Sequence, residues 1–298
     1  MAKAGPDEVG WNQPQEGANY GPWTFDVARD GSIWLLDEVN NRLLVWQPGR
    51  PNQVAQTVPL PFKAAVDIAV SPSGTVYVTS MPAGEPGQLY ALTSSGAVRW
   101  KAPLPDRVMG HLLMGADGVV YHEFDRLWTP LTDPHGQPLP VAQQRRLASA
   151  LQPLRGGLRL ATTWVSDREV RFTLTDRAGK AVRAWRITSR TDIGGLNCIP
   201  ALVGGDPVVA LGVSQQTTTR FLYEYLVLRL APSGGTQIRF ALDARAVWGD
   251  DHIALRVGPD GQLYQLRSSP DTGVSIARYS LTPPSPPHRP RPQAAEAR

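Results

Sequence analysis

Two interleaved series of turns run through this chain at nearly one spacing, and few folds accommodate that. The first series is marked by Gly31, Gly74, Gly118, Gly157, Gly205 and Gly261, at intervals of about 40 to 55 residues. Runs rich in β-branched and aromatic residues flank these turns, as in "IAVSPSGTVYVTS" (68–80), "LLMGADGVVYHEF" (112–124) and "ALRVGPDGQLYQL" (254–266). The copies at 148–164 and 199–213 are degenerate in residue type but keep the period. The second series comprises "VWQPG" (45–49), "LTSSG" (92–96), "LTDPHG" (131–136), "LTDRAG" (174–179) and "LAPSGG" (230–235), each followed by another run such as "AVRWKAP" (97–103). Four strands per repeat predict an all-β fold, a β-propeller. A pair of β-sandwiches would also contain many short strands, but would not impose a regular period.

Six first-series glycines give six blades, at approximately 21–62, 63–106, 107–143, 144–190, 191–243 and 244–282. The sixth lacks a fourth run, because "GVSIARYSL" (273–281) is followed by prolines that cannot join a sheet. At the other end, "EVGWNQP" (8–14) has the pattern of "AVRWKAP". The expectation is that residues 7–14 supply the outer strand of the last blade, so that the ring closes and leaves no open edge. Residues 1–282 then form a single six-bladed propeller. Residues 283–298, Pro-rich with little to bury, read as a disordered tail.

At 298 residues, 42% hydrophobic and 19% charged, the chain is long enough for a large core. No apolar run approaches a transmembrane span. The net charge is +4, and of 30 basic residues only Lys3, Lys63, Lys101 and Lys180 are lysines, a bias that a GC-rich bacterial genome produces. The arginines form no run, which argues against nucleic-acid binding. Cys198 is the single cysteine, so neither an intrachain disulfide nor a thiolate metal cluster is possible. Between Leu196 and Ile199 it reads as a buried structural thiol. "MAKAGPDEVGW" contains no export h-region. Such a start fits either a cytoplasmic protein or one whose export signal has been removed, and with the Pro-rich end the expectation leans slightly to an extracytoplasmic, secreted protein; a monomer is expected.

Residues 21–49 resemble an NHL repeat: Gly21-Pro22, a strand, Asp30-Gly31, the aromatic strand of Ile33-Trp34, Asp37, then Asn40-Asn41-Arg42 before a third strand. The resemblance is partial at 66–92 and 252–266. It implies a propeller used for ligand binding or scaffolding. It also brings in related six- and seven-bladed enzymes, lactonases of the gluconolactonase type and streptogramin lyases, which use a divalent metal in the central channel. Where the gluconolactonase pattern places an acidic ligand, this chain has Trp23-Thr24. His122-Glu123 does not supply a His and Glu on one face, because successive strand residues point to opposite sides.

Propeller ligands meet the loops that lead into the innermost strands and the hairpins between second and third strands. Those loops carry the ligand-binding candidates Tyr20, Trp23, Arg107, Arg145, Arg190 and Trp248. The tryptophans would stack on a sugar or anchor a protein. The arginines, with Lys63 and Arg146, would form a basic ring for a phosphate, a uronate or an acidic protein surface. Asp67, His111, Asn197 and His252 stand near the starts of innermost strands and could hold one divalent ion, zinc-like with His nitrogens. The same four residues could instead cap loops and pack between blades. Trp34, Trp46, Trp100, Trp128, Trp164 and Trp185 belong to strand patterns and are expected between blades. Residues 143–149, "QQRRLAS", suggest a helical insertion on the rim. No nucleophile elbow, phosphate loop or dinucleotide fingerprint is present, so no catalytic residues are assigned. The reading is therefore a non-catalytic propeller that recognises a protein or glycan through its loop face and needs no cofactor. The alternative is a metal-dependent lactonase or lyase with its site in the channel.

Overall fold

The structure is a computed structural model that describes residues 5, 8–10, 21–22, 24–50, 52–106, 110–216, 221–242, 255–269 and 273–282. Each repeat folds as an antiparallel meander. The first sheet contains β1 (Phe25–Val27), β2 (Ile33–Asp37), β3 (Arg42–Trp46) and β4 (Val54–Pro59); the second contains β5 (Ala65–Val70), β6 (Val76–Ser80), β7 (Gln88–Leu92) and β8 (Val98–Pro103). The third contains β9 (His111–Met114), β10 (Val120–Phe124) and β11 (Leu127–Pro130), with Ser149 bridging to Trp128 on the outer side. Between them lies α1 (Val141–Leu147), the helix foreseen on the rim. The fourth sheet contains β12 (Gln152–Pro153), β13 (Arg159–Ser166), β14 (Glu169–Thr175) and β15 (Ala181–Thr188). The fifth contains β16 (Asp192–Val203), β17 (Asp206–Gln216), β18 (Phe221–Leu230) and β19 (Thr236–Leu242); the sixth contains β20 (Leu255–Val257), β21 (Leu263–Ser269) and β22 (Gly273–Tyr279).

The sheets form a ring because neighbouring sheets meet in sequence, through their inner strands at every junction but that of the third and fourth, where the third sheet's β11 makes the contact. β1 contacts β5, β5 contacts β9, β11 reaches β12, β12 contacts β16, β16 contacts β20, and β20 returns to β1. The turn glycines fit their role: Gly31 and Gly118 take φ of +82° and +81°, a region that costs other residues steric strain. Apolar faces then close between blades. Leu36, Leu43 and Val58 pack on Ile68 and Val76, and Phe172 and Trp185 on Val209 and Leu228. Val208 and Val227 pack on Leu255 and Leu263, and Leu266 of the last blade enters the cluster of Phe25, Leu35 and Leu44. Trp34, Trp128 and Trp185 are buried as expected; Trp46, Trp100 and Trp164 are partly buried.

The residues that carry the NHL-like resemblance are occupied in holding the first blade. Asp37, fully buried, accepts from Arg42 Nε (2.8 Å), Asn40 Nδ2 (2.9 Å) and the Gly10 amide (3.1 Å). Asn41 donates to the Leu60 carbonyl at 3.0 Å. Arg42 also donates to the carbonyls of Gly5 and Glu8, and Val9 packs near the junction of the first and sixth blades. The described part of the N-terminal segment is thus docked on the β2–β3 hairpin. Residues 11–20 and the proposed tail 283–298 lie outside the described residues. The sixth sheet has three strands among the described residues, and the closing strand stays a proposal.

At the far end, Arg229 donates to Asp206 (3.0 Å) and to the Leu281 carbonyl (2.9 Å), and Leu281 is fully buried. No helix among the described residues is long and apolar enough to cross a membrane.

Candidate functional site

Aligning the repeats on their turn glycines shows why certain side chains converge. Thr24, Asp67 and His111 each stand seven residues before the glycine of their own repeat, and Asp26 and Arg256 each stand five before. Equal offsets put them at equal heights on neighbouring inner strands, so the ring brings them together.

Asp67 is the hub. Its Oδ1 accepts from Thr24 Oγ1, from the Ile68 amide (2.7 Å) and from Arg256 Nη2 (3.3 Å). Its Oδ2 accepts from the Leu112 amide (2.7 Å) and faces His111 Nδ1 at 3.6 Å. Arg256 also donates to Thr24 Oγ1 (3.3 Å) and the Leu112 carbonyl (3.4 Å), with Nε 3.9 Å from Asp26 Oδ1. Asp26 in turn accepts from the Val70 amide at 2.7 Å. One guanidinium and two carboxylates therefore tie blades 1, 2, 3 and 6 around the axis.

Burial makes these groups unequal. It pushes the Asp67 carboxyl up, but the Arg256 charge, the His111 imidazole and the Thr24 hydroxyl outweigh it, and Asp67 ends below the usual carboxylate value. Burial likewise raises Asp26; Arg256 and the amides of Val70 and Val27 oppose the rise without cancelling it. Close by, His122 is buried and its Nε2 has no hydrogen-bond partner among the described residues. Burial pulls its imidazole down to about 4, with Asp67 and Asp106 opposing and His111 reinforcing. At neutral pH the cluster holds an ionised Asp67 paired with Arg256, beside a neutral His122.

Of the four metal candidates, Asp67 and His111 do meet. His252 lies outside the described residues, as does the side chain of Asn197. The two that meet do not fit a divalent ion by themselves. Every Asp67 oxygen already accepts protein donors, and the Arg256 cation lies against the carboxylate a metal would need. Among the described residues, no group of three or more His, Cys, Asp or Glu side chains could hold a metal. Of the ligand candidates, Tyr20, Trp23, Arg107 and Trp248 lie outside the described residues. Arg145, on α1, donates to the Pro105 carbonyl (2.6 Å) and to Asp106 (3.4 Å). Arg190 is exposed after β15.

Arg256 and Asp26 were not singled out from the sequence. The available signal was a charged residue in each of two short apolar strands, at the same offset from the turn and with opposite sign.

No protein family matches the sequence, and no curated protein matches it, so the NHL-like label has no family match behind it. Among solved structures, the chain aligns with a streptogramin B lyase over 86% of its length and 92% of the other chain, at 14% identity and a TM-score of 0.45. With virginiamycin B lyase from Staphylococcus aureus the figures are 88%, 95%, 13% and 0.48. With the WD40 domain of Toxoplasma gondii coronin they are 90%, 72%, 11% and 0.47. The chain's own strand order and inter-blade contacts define its class, a six-bladed β-propeller.

Proposed function

We propose that this protein is a non-catalytic binding or scaffolding propeller that recognises a protein or glycan through its loop face. The observation that supports this reading is the state of the axial cluster. Its carboxylates are consumed by Arg256, Thr24 and backbone amides, which makes the cluster a structural lock. Recognition then falls to the loops around it, where Trp23 and Trp248 supply aromatic anchors and Arg107, Arg145 and Arg190 supply charge. A second reading, a metal-dependent lactonase or lyase, draws support from the Asp67–His111 pair, a buried carboxylate facing a partly exposed imidazole.

Glycan-array and protein-capture profiles of the full chain, compared with a Trp23→Ala/Trp248→Ala double variant, test the first reading. A partner bound by the parent and lost by an equally stable double variant supports it. A stoichiometric divalent ion in freshly purified protein, lost on His111→Ala together with hydrolytic or lyase turnover, would replace it with the second.

A further inference from the structure

Three blades share a device that the second blade keeps only in part, and the fourth and fifth, with Gly156 and Leu160 and with Gly204 and Val208 at these positions, lack it altogether. In the third blade, Asp117 before the turn glycine accepts the hydroxyl of Tyr121 at 2.9 Å; in the sixth, Asp260 accepts that of Tyr264 at 2.8 Å. In the first, Trp34 Nε1 donates to Ser32 Oγ (3.1 Å), which donates to Asp30 (2.7 Å). In the second blade the corresponding pair is Ser73 and Tyr77. Serine is too short to reach the ring's end, and Ser73 Oγ is instead 2.9 Å from Ser71 Oγ. The Tyr77 ring is buried, in a residue only 3% exposed, while its hydroxyl makes no Asp–Tyr bond of the kind seen in the third and sixth blades. The hydroxyl itself is not among the fully buried polar atoms that lack a partner, so it opens to the cleft and is free to bond solvent or a ligand.

That hydroxyl lines a cleft of about 450 Å³ between the second and third blades. The cleft lies among the turns that join first to second and third to fourth strands, on the face opposite the loop face. Trp100, partly buried and 6.0 Å from Tyr77 between ring centroids, provides an aromatic wall. The rim carries Ser73, His135 and Gln137, and Arg99 adds a guanidinium with no ion-pair partner among the described residues. Gly136 completes the opening, because a Cβ there would collide with the Tyr77 hydroxyl.

We propose that this cleft is a binding site for a carboxylate-bearing sugar of one or two hexose units. The volume lies within the range of small-ligand sites. A pyranose ring offers an apolar face to Trp100 and hydroxyls to Tyr77, Ser73 and Gln137, and its carboxylate pairs with Arg99. The site is separate from the loop-face surface and does not depend on it.

The test is calorimetric titration of the full chain with D-glucuronate, methyl glucoside and acetate, with intrinsic tryptophan fluorescence of the parent and a Trp100→Phe variant as a second readout. Saturable glucuronate binding is expected, at least tenfold tighter than either control. Tyr77→Phe, which keeps the ring, should weaken it about tenfold. Ser73→Asp should restore the Asp–Tyr pair seen in the third and sixth blades, abolish glucuronate binding by charge and hydroxyl capture, and leave melting unchanged or raised. Arg99→Gln, on an exposed position, should also weaken binding about tenfold and covers the case in which a variant fails to fold. Absence of saturable glucuronate binding to the parent overturns the proposal. So does equal binding by the parent and folded Ser73→Asp and Arg99→Gln variants.

Discussion

Arg256 Nη2 stands 3.3 Å from Asp67 Oδ1 although 189 positions separate the two residues, and this contact crosses from the sixth blade to the second. Both side chains are almost fully buried, at 9% and 3% exposure. A pair of this kind adds little net stability over an apolar substitute, but removing one partner strands the other. Arg256→Met should therefore destabilise the protein by about 3 to 5 kcal/mol in urea unfolding, because it leaves Asp67 and Asp26 buried without their cation. A loss under about 1 kcal/mol would mean that the pair is solvated.

Acid should expose the cost of His122. Its folded-state value near 4 lies below the ordinary 6.5, so the unfolded chain binds the extra proton between those values. The stability that neutral His122 provides is present above pH 6.5 and is lost as pH falls toward 4, by about 3 kcal/mol. Asp26 and Glu38, both raised by burial, act in the opposite direction, so the readout is a difference between proteins. His122→Leu should show a flatter decline than the parent over that window. Parallel curves would show that His122 takes up its proton in the fold at the same pH as in the unfolded chain.

Gly110 has no room for a side chain. A Cβ there would fall 2.7 Å from His122 Nε2 and against the Glu123 carbonyl. Gly110→Ala should cost about 1 to 3 kcal/mol by overpacking, measurable as a lower urea midpoint with an unchanged slope.

The closing-strand proposal makes opposite predictions for the two ends of the chain. Removing residues 1–15 takes away the Gly5 and Glu8 carbonyls that Arg42 binds, the Gly10 amide on Asp37 and the packing of Val9. It would also leave the β22 edge unpaired, a template for aggregation. Thermal melts and size-exclusion profiles should show a destabilised, self-associating protein. Removing residues 284–298 should change neither, since the chain is pinned before that point by Leu281. A subtler probe is Gly10→Ala, whose Cβ would crowd Asn40, Val39 and Asp37 and should lower the melting temperature.

The ring was legible because turn chemistry is local. An Asp-Gly or Ser-Gly turn between two β-rich runs states its own conformation, and counting such turns counted the blades. The axial cluster was legible only in part. Asp67 and His111 could be found by asking which residues stand seven before a turn glycine, near the start of an inner strand. Arg256 could not be found that way, because it stands five residues before its turn glycine, and its value comes from neighbours supplied by three other blades. The N-terminal segment shows the same limit. Its pattern suggested a strand, but not that Arg42 and Asp37 of the first blade would grip its backbone, since that grip depends on tertiary proximity. The cleft beside Tyr77 was hidden by similarity: "SPSGTVY" looks like another copy of the turn, and only the missing carboxylate distinguishes it.

The central claim is that the inner strands of one closed ring meet at the axis. A double-mutant cycle on Arg256→Met and Asp67→Asn, read by urea unfolding, tests it most directly, since only a closed ring brings the sixth blade's arginine to the second blade's aspartate. The account predicts a coupling energy of about 1.5 kcal/mol or more, with the double variant more stable than the sum of the single losses allows. Losses that add to within about 0.5 kcal/mol, the behaviour of residues that share no contact, would contradict it.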